Sequence, residues 1–543
     1  MPRLASPRVA VAALLAVAAL LLAVQPRAFV AFTSGLAPIG GADGWAAYVR
    51  EVFGIAALFV GIPGFVAGLL FPALLRLAPA AREAGRPIGR LIAVNTAGAI
   101  AGSLAVSFAL LPTLGLWMTM TAAAAAYAAL AIWLARTPAV AIVAGAAVLA
   151  AAANTGLPPL RLDGNRSERL LAVWESGYGT VAVTEGTGGR VLRLNNSYSL
   201  GGTVDRIERE RIQTLIPLLL HPSPSRVFFL GLGTGITAGE AVRHPVERVV
   251  VSELVPEVVQ ASREYFEQWT RGLAEDPRVE IRAEDGRQYL AAARETFDVV
   301  ISDLFVPWHA GTGSLYTREH FETVRARLAP GALFAQWLPL FQLTGREFEV
   351  IARTLLEVFP HVVIWRGDFY GNRPIAALVA SASPMRLDPG RVAQRAGALA
   401  GGDGLALARL LPFYAGNLAA GRGVLGEGDV NTDGHPVIEY LSPMAQWGRD
   451  GAESAPLFVS MPLVRFFARL RAEAPLDRDP YLASLTPQQR DYVEAGAFYQ
   501  RAVVLSLGGA DEAARRDLAE ALRRLPPDLQ VAGPFMALDP LVQ

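Results

Sequence analysis

The chain has 543 residues, 52% hydrophobic and 18% charged, with a formal net charge of zero. It contains no Cys and no Lys, so all 49 basic residues are Arg; disulfides, thiolate nucleophiles, Cys-ligated zinc, Schiff-base lysines and P-loop lysines are excluded. The six histidines, His221, His244, His309, His320, His361 and His435, form no HxH or HxxxH pair, so no metal site is expected.

Residues 1–156 hold nine Arg and three acids (Asp43, Glu51, Glu83), whereas the remainder holds 40 basic and 46 acidic residues. The zero charge thus averages a basic part and a mildly acidic one, and no basic patch in the second part points to nucleic acid. Residues 1–156 read as a multi-pass membrane domain. Candidate spans are Val9–Val24, Val52–Leu75, Leu91–Leu111, Leu114–Ala135 and Ala139–Ala153. A span needs about 20 apolar residues; the middle three meet this, and the first and fifth are short. The first also fits a signal peptide, with Arg3 and Arg8 ahead of its apolar run, but the hydrophobic segments that follow favour an anchor. Asn95-Thr96, with Gly98, Gly102 and Ser103, suits helix packing or a substrate pathway. Arg76, Arg82, Arg86 and Arg90 crowd one loop, which should face the cytoplasm. If Ala139–Ala153 crosses the membrane, the following domain lies outside the cytoplasm; if that segment is interfacial, the domain lies inside.

Residues 157–225 read as a small β-rich region. Thr180–Thr184 and Arg190–Leu194 alternate around EGTGG, the pattern of a hairpin, and Asp205–Leu220 follows as a helix. Over 226–384, strands near 227–230, 248–252, 279–282, 298–302, 332–337 and 361–365 alternate with helices. This predicts a Rossmann-like α/β domain, a doubly wound and mostly parallel sheet. Residues 385–543 form a C-terminal extension. Its 384–430 stretch, rich in Gly, Ala and Arg, has no readable pattern; Pro487–Leu525 is expected to form two antiparallel helices.

The chemistry concentrates where strands end. Val227–Gly239, VFFLGLGTGITAG, runs from an apolar strand into Gly231, Gly233 and Gly235 and then a helix. Such a turn lets a ligand approach N–H groups at a helix N-terminus, though tight packing also calls for glycine. Eighteen residues after Gly235, VVVSE ends on Glu253, where a carboxylate can accept both hydroxyls of a ribose. Asp285-Gly286 follows the third strand, where Asp285 can take an adenine amino group. Asp303 closes VVISD at the carboxyl edge of the sheet, where such folds bind ligands. A carboxylate there can hold a cation, take a proton or simply cap a helix.

LGLGTG, SELVPEVV, DPRVEIRAEDGRQYL, FDVVISDLFVPW and SLYTREHFETVRARLAPGALFAQW, within about residues 175–380, resemble the aminopropyltransferases, the spermidine and spermine synthases. With the membrane segment, the chain resembles the membrane-fused subfamily, whose NTxGAxxGS helix is echoed by Asn95–Ser103. The resemblance implies that Gly231, Gly233, Thr234 and Gly235 line decarboxylated adenosylmethionine as co-substrate, with Glu253 on its ribose and Asp285-Gly286 on its adenine. It implies Asp303 as the base that frees an amine to attack the carbon beside the sulfonium. His309 and Tyr316 become candidate substrate contacts, and Trp308–Ser314 a glycine-bearing loop over the acceptor. The chain departs from the soluble synthases at three places: Thr234 and Val306 stand where they have acids, and Arg209, Glu210 and Arg211 stand for their YHE segment. An adenosylmethionine-dependent methyltransferase, and a non-catalytic nucleoside-sensing or polyamine transport module, are the alternative readings. Expected partners are an amine acceptor and the lipid bilayer, with a homodimer allowed. The expected location is a bacterial-type cell membrane; the span count leaves the face of the synthase-like domain open, and cofactor supply favours the cytosolic side.

Overall fold

The computed structural model describes residues 6–39, 44–76, 85–196, 198–203, 207–399, 405–447 and 457–530. Asp43, Arg3, Arg82 and Glu83, used above, lie outside them. The chain divides into two compact units, Met1–Leu200 and Gly201–Gln543.

In the first unit, three helices are long and apolar enough to cross a membrane: Pro7–Phe32, Trp45–Leu75 and Arg86–Leu134. Pro138–Ala152 is shorter. At about 1.5 Å per residue, the 49-residue helix is more than twice as long as a hydrocarbon core of about 30 Å requires. It breaks at Gly115, whose φ of 75° and ψ of 171° leave the helical region. The third and fourth expected spans are therefore one run with an internal break. Glu175 explains the glycine: its carboxylate accepts the Leu116 N–H at 3.0 Å and fills the space a Cβ at position 115 would need.

Alanines carry the helix contacts. Ala19 and Ala23 of Pro7–Phe32 meet Ala124, Ala128, Ala144 and Ala147. Small side chains allow the close approach that dispersion rewards in lipid. The face bearing Asn95, Gly98, Gly102 and Ser103 is exposed instead. The same unit carries most of a four-stranded antiparallel sheet, β1 (Arg169–Ser176), β2 (Gly179–Gly186), β3 (Gly189–Leu194) and β4 (Tyr198–Gly202), in the order β1-β2-β3-β4. The β2–β3 pair is the hairpin expected from alternation, closing on Gly186↔Gly189.

The second unit is built on an eight-stranded sheet. Its strands are β5 (Arg226–Leu230), β6 (Arg248–Glu253), β7 (Val279–Ala283), β8 (Phe297–Ser302), β9 (Leu328–Leu338), β10 (His361–Arg366), β11 (Ala376–Ser381) and β12 (Tyr414–Asn417). They lie in the order β12-β10-β11-β9-β8-β5-β6-β7. The five strands from β7 to β9 are parallel, and β11, β10 and β12 add antiparallel. Side-chain alternation sends Val227 and Phe229 into one apolar layer and Phe228 and Leu230 into the other. Both faces of β5 are therefore covered, as a central parallel strand requires. The chain winds outward from β5 in one direction through β6 and β7, then returns to build β8 and β9 on the other side. The crevice between the ends of β5 and β8 is thus the switch point at which such sheets bind ligands. Beyond the sheet, Pro487–Leu507 and Asp511–Arg523 form the expected antiparallel pair, cross-linked by Arg501–Asp517 and Arg524–Glu494.

Candidate functional site

β5 runs into the glycine loop. Gly231, Gly233 and Gly235 have φ of 99°, 54° and 83°, in the region where a Cβ brings strain. At Gly235 a Cβ would also stand 2.6 Å from Ser262 Oγ and 3.1 Å from Thr270 Cγ2. That close approach seats the loop against the helix Pro256–Tyr265.

Glu253, the last residue of β6, turns its carboxylate onto this loop. Oε2 accepts the N–H groups of Leu232 (3.0 Å) and Gly233 (3.4 Å), and Oε1 accepts that of Val255 (3.0 Å). Burial raises its pKa above the usual carboxylate range, and these backbone donors oppose the rise. Asp285 caps the helix Gly286–Ala292, accepting the N–H groups of Arg287 (2.8 Å) and Gln288 (3.3 Å). Gly286 lies against β5, where a Cβ would stand 3.0 Å from Leu230 Cγ.

Asp303 follows β8 across the crevice. Its N–H donates to Leu230 O (3.2 Å), which ties it to the end of β5. Its Oδ1 accepts the Leu304 N–H at 2.7 Å. Burial pushes its pKa up to about 7, helped by the charge of Glu253; the Leu304 N–H and the Thr237 hydroxyl pull the other way. A carboxyl group near neutrality can both hold and release a proton at working pH. Val306, three residues on, is buried and apolar.

The Arg209-Glu210-Arg211 segment resolves into three separate roles. Arg209 pairs with the buried Asp368 at 3.0 Å, donates to Arg373 O at 2.6 Å and lies over the Phe341 ring. Arg211 faces the buried Glu240 at 3.9 Å, a carboxylate also held by Arg243 and Arg271. Glu210 points to the glycine loop: Oε2 accepts the Thr234 hydroxyl at 2.5 Å and Oε1 accepts the Gly202 N–H at 3.0 Å. A carboxylate therefore stands beside position 234 although the residue there is threonine. Sequence reading missed this role of Glu210 and missed Asp368 altogether. A helical signal existed for the first: Glu210 and Thr214 share a face at i, i+4, and the Thr214 hydroxyl donates to Thr237 O just past the loop.

The Trp308–Ser314 loop is fastened. Glu439 accepts the N–H groups of Gly311 (2.7 Å) and Gly313 (3.1 Å), and Asn431 donates to Gly313 O (2.8 Å). His309 is exposed on this loop, and Tyr316 is wholly buried in the apolar layer with Phe321 and Phe334. The structure thus gathers Gly231, Gly233, Thr234, Gly235, Glu253 and Asp303 around one crevice, with Asp285-Gly286 beside it. Among the described residues, no group of three or more His, Asp or Glu side chains has a metal-binding arrangement.

Residues 206–365 match the spermine/spermidine synthase domain. A polyamine aminopropyltransferase of Aeropyrum pernix is 34% identical over 38% of this chain and 67% of its own length. This chain belongs to the spermine/spermidine synthase family. Polyamine aminopropyltransferase 2 of Pseudomonas aeruginosa is 38% identical over 33% of this chain and 51% of its own length. A spermidine synthase structure from Thermotoga maritima matches with 24% identity and a TM-score of 0.36, over 41% of this chain and 75% of that one. The chain spans about half the length of most of the curated relatives it matches.

Proposed function

We propose that the second unit transfers an aminopropyl group from decarboxylated adenosylmethionine to an amine, and that the apolar helices of the first unit anchor it in a membrane. The observation that carries the reading is Asp303: a desolvated carboxyl with a pKa of about 7, tied to the end of the glycine-loop strand. In this reading Glu253 takes the ribose hydroxyls, Asp285 and Gly286 flank the adenine, and Gly231, Gly233 and Gly235 leave room for the sulfonium end. His309, exposed on the loop over the acceptor, and Tyr316, buried two residues past that loop, are the candidate substrate contacts. Asp303 accepts one proton from the acceptor ammonium. The freed nitrogen lone pair attacks the carbon beside the sulfonium, the carbon–sulfur bond breaks, and its electron pair stays on sulfur as methylthioadenosine leaves.

Glu210 supports the decarboxylated donor over the intact one. The decarboxylated tail ends in an ammonium alone, which a carboxylate beside the loop attracts; an intact tail adds a carboxylate, which Glu210 would repel. With Val306 in place of a second acid, the acceptor side offers less charge for a dication, so a monoamine or a singly recognised polyamine fits best.

Purified full-length protein, given both donor forms and a mixed amine pool, tests the reading by mass spectrometry. Methylthioadenosine with an aminopropylated amine is the expected outcome. Adenosylhomocysteine with a methylated product would establish the methyltransferase alternative, and neither product would leave nucleoside sensing.

A further inference from the structure

The second unit contains a cavity of about 530 Å³ that shares no wall residue with the glycine-loop crevice. It lies between the end of β10 and the helices Ser460–Glu473 and Pro487–Leu507. Four arginines line it, Arg366, Arg471, Arg490 and Arg501, against two acids, Asp477 and Glu494. Two of these charges are already committed: Arg501 pairs with Asp517 and Glu494 pairs with Arg524.

The inner pair is different. Arg366 is 1% exposed and donates to Gln500 Oε1 (2.8 Å), Pro412 O (3.3 Å) and Tyr414 O (2.7 Å). Arg471 donates to Ala415 O (3.2 Å) and to the same Tyr414 O (3.4 Å). One carbonyl therefore accepts from both guanidinium groups and brings two like charges together. Neither has a carboxylate within ion-pair distance among the described residues, and Arg366 Nη2 and Arg490 Nε are buried without a hydrogen-bond partner. Arginine keeps its proton in proteins, so burial does not remove the charge. Carbonyl dipoles, with the Glu494 carboxylate acting on Arg471 from beyond ion-pair distance, leave two buried cations short of a full counter-charge. Gln500 apart, the remaining wall is apolar, with Phe467 beneath Arg366 at 4.8 Å from ring centroid to guanidinium and Phe498, whose ring also carries Arg501 at 5.2 Å and Arg524 at 4.5 Å.

We propose that this cavity binds a small organic anion, its carboxylate or phosphate head against Arg471 and Arg366 and its apolar body on Phe467 and Phe498. The site stands on different residues from the proposed transfer reaction, and its test does not depend on turnover.

Calorimetry on the full-length protein in detergent, with benzoate, benzamide and inorganic phosphate as probes, tests it. Benzoate should bind saturably and the neutral, similarly shaped benzamide should not. Arg471→Gln should weaken benzoate binding roughly tenfold or more, the loss of a charge-assisted bond. Arg490→Gln, on a more exposed stretch, should weaken it several-fold and serves if the first variant does not fold. Saturable phosphate binding without benzoate binding would overturn the apolar half of the proposal. No saturable anion binding to the wild type, or equal affinity in both variants, would overturn it altogether.

Discussion

The two halves of the eight-stranded sheet bury opposite charges by opposite means. On the parallel half, Glu253 and Asp303 are carboxylates satisfied by backbone N–H groups at strand ends. On the antiparallel half, Arg366 is a guanidinium that donates to the carbonyls of Pro412 and Tyr414, just before and at the start of β12, and keeps Nη2 without a partner. The direction of the strands explains the contrast. Parallel strands bring successive strand ends and the helix starts that follow them to one edge, where N–H groups are unpaired. An added antiparallel edge strand instead brings carbonyls from a distant segment alongside the sheet. In the proposed readings, one half receives a cationic amine and a sulfonium, the other an anion.

The largest expected break in this comparison is Asp303→Asn. Removing the base should lower kcat by roughly 10²–10⁴-fold and leave calorimetric affinity for methylthioadenosine unchanged; turnover within a few-fold of wild type would move the base elsewhere. Glu253→Ala comes next. Loss of a charged acceptor from the loop should weaken methylthioadenosine binding by roughly 10–100-fold, and unchanged affinity would remove Glu253 from the ribose. Glu210→Gln should raise KM for the decarboxylated donor by about tenfold while sparing methylthioadenosine, which has no ammonium tail. Adding Thr234→Asp should restore much of that loss if the two positions share one task; a double variant no better than the single would separate them.

The smallest effect is a pH dependence with two opposite signs. Turnover should rise as pH passes about 7, because Asp303 must be unprotonated to act. Stability of the unliganded protein should move the other way. The folded state holds a proton to about pH 7, whereas an unfolded aspartate loses it near its ordinary value of 3.8. The stabilising contribution is therefore complete below that lower value and is lost as pH rises through about 7. Thermal denaturation should show a smaller fall across this window in Asp303→Asn than in wild type. Equal slopes would mean that Asp303 titrates like a solvated acid. Asp368, also pushed up to about 7 by burial, and Glu253 and Glu240, raised by burial too, contribute to the slope that remains in the variant.

Much of the parallel half was legible in the sequence. Val227–Leu230 is an uninterrupted apolar run, the glycines mark the turn after it, Glu253 ends its strand and Asp303 directly follows its own, so each signal is local to one strand and its turn. β11 was missed, because AALVAS carries no alternation to mark a strand buried on both faces. β12 was missed because Tyr414–Asn417 is four residues long in a Gly- and Ala-rich stretch.

What sequence by itself determined is which strands end on glycine or acid, since backbone conformation and hydrophobic period are properties of neighbouring residues. Only tertiary structure decided what those ends meet. Glu210 reaches Thr234 because the helix Ile207–Leu220 packs beside the glycine loop. Arg209 is held by Asp368, and Arg366 shares a carbonyl with Arg471, because the antiparallel strands join segments far apart in the chain. A period of two or of 3.6 tells which face of an element is buried but not which partner will cover it. The pairing of charges across elements therefore belongs to the fold.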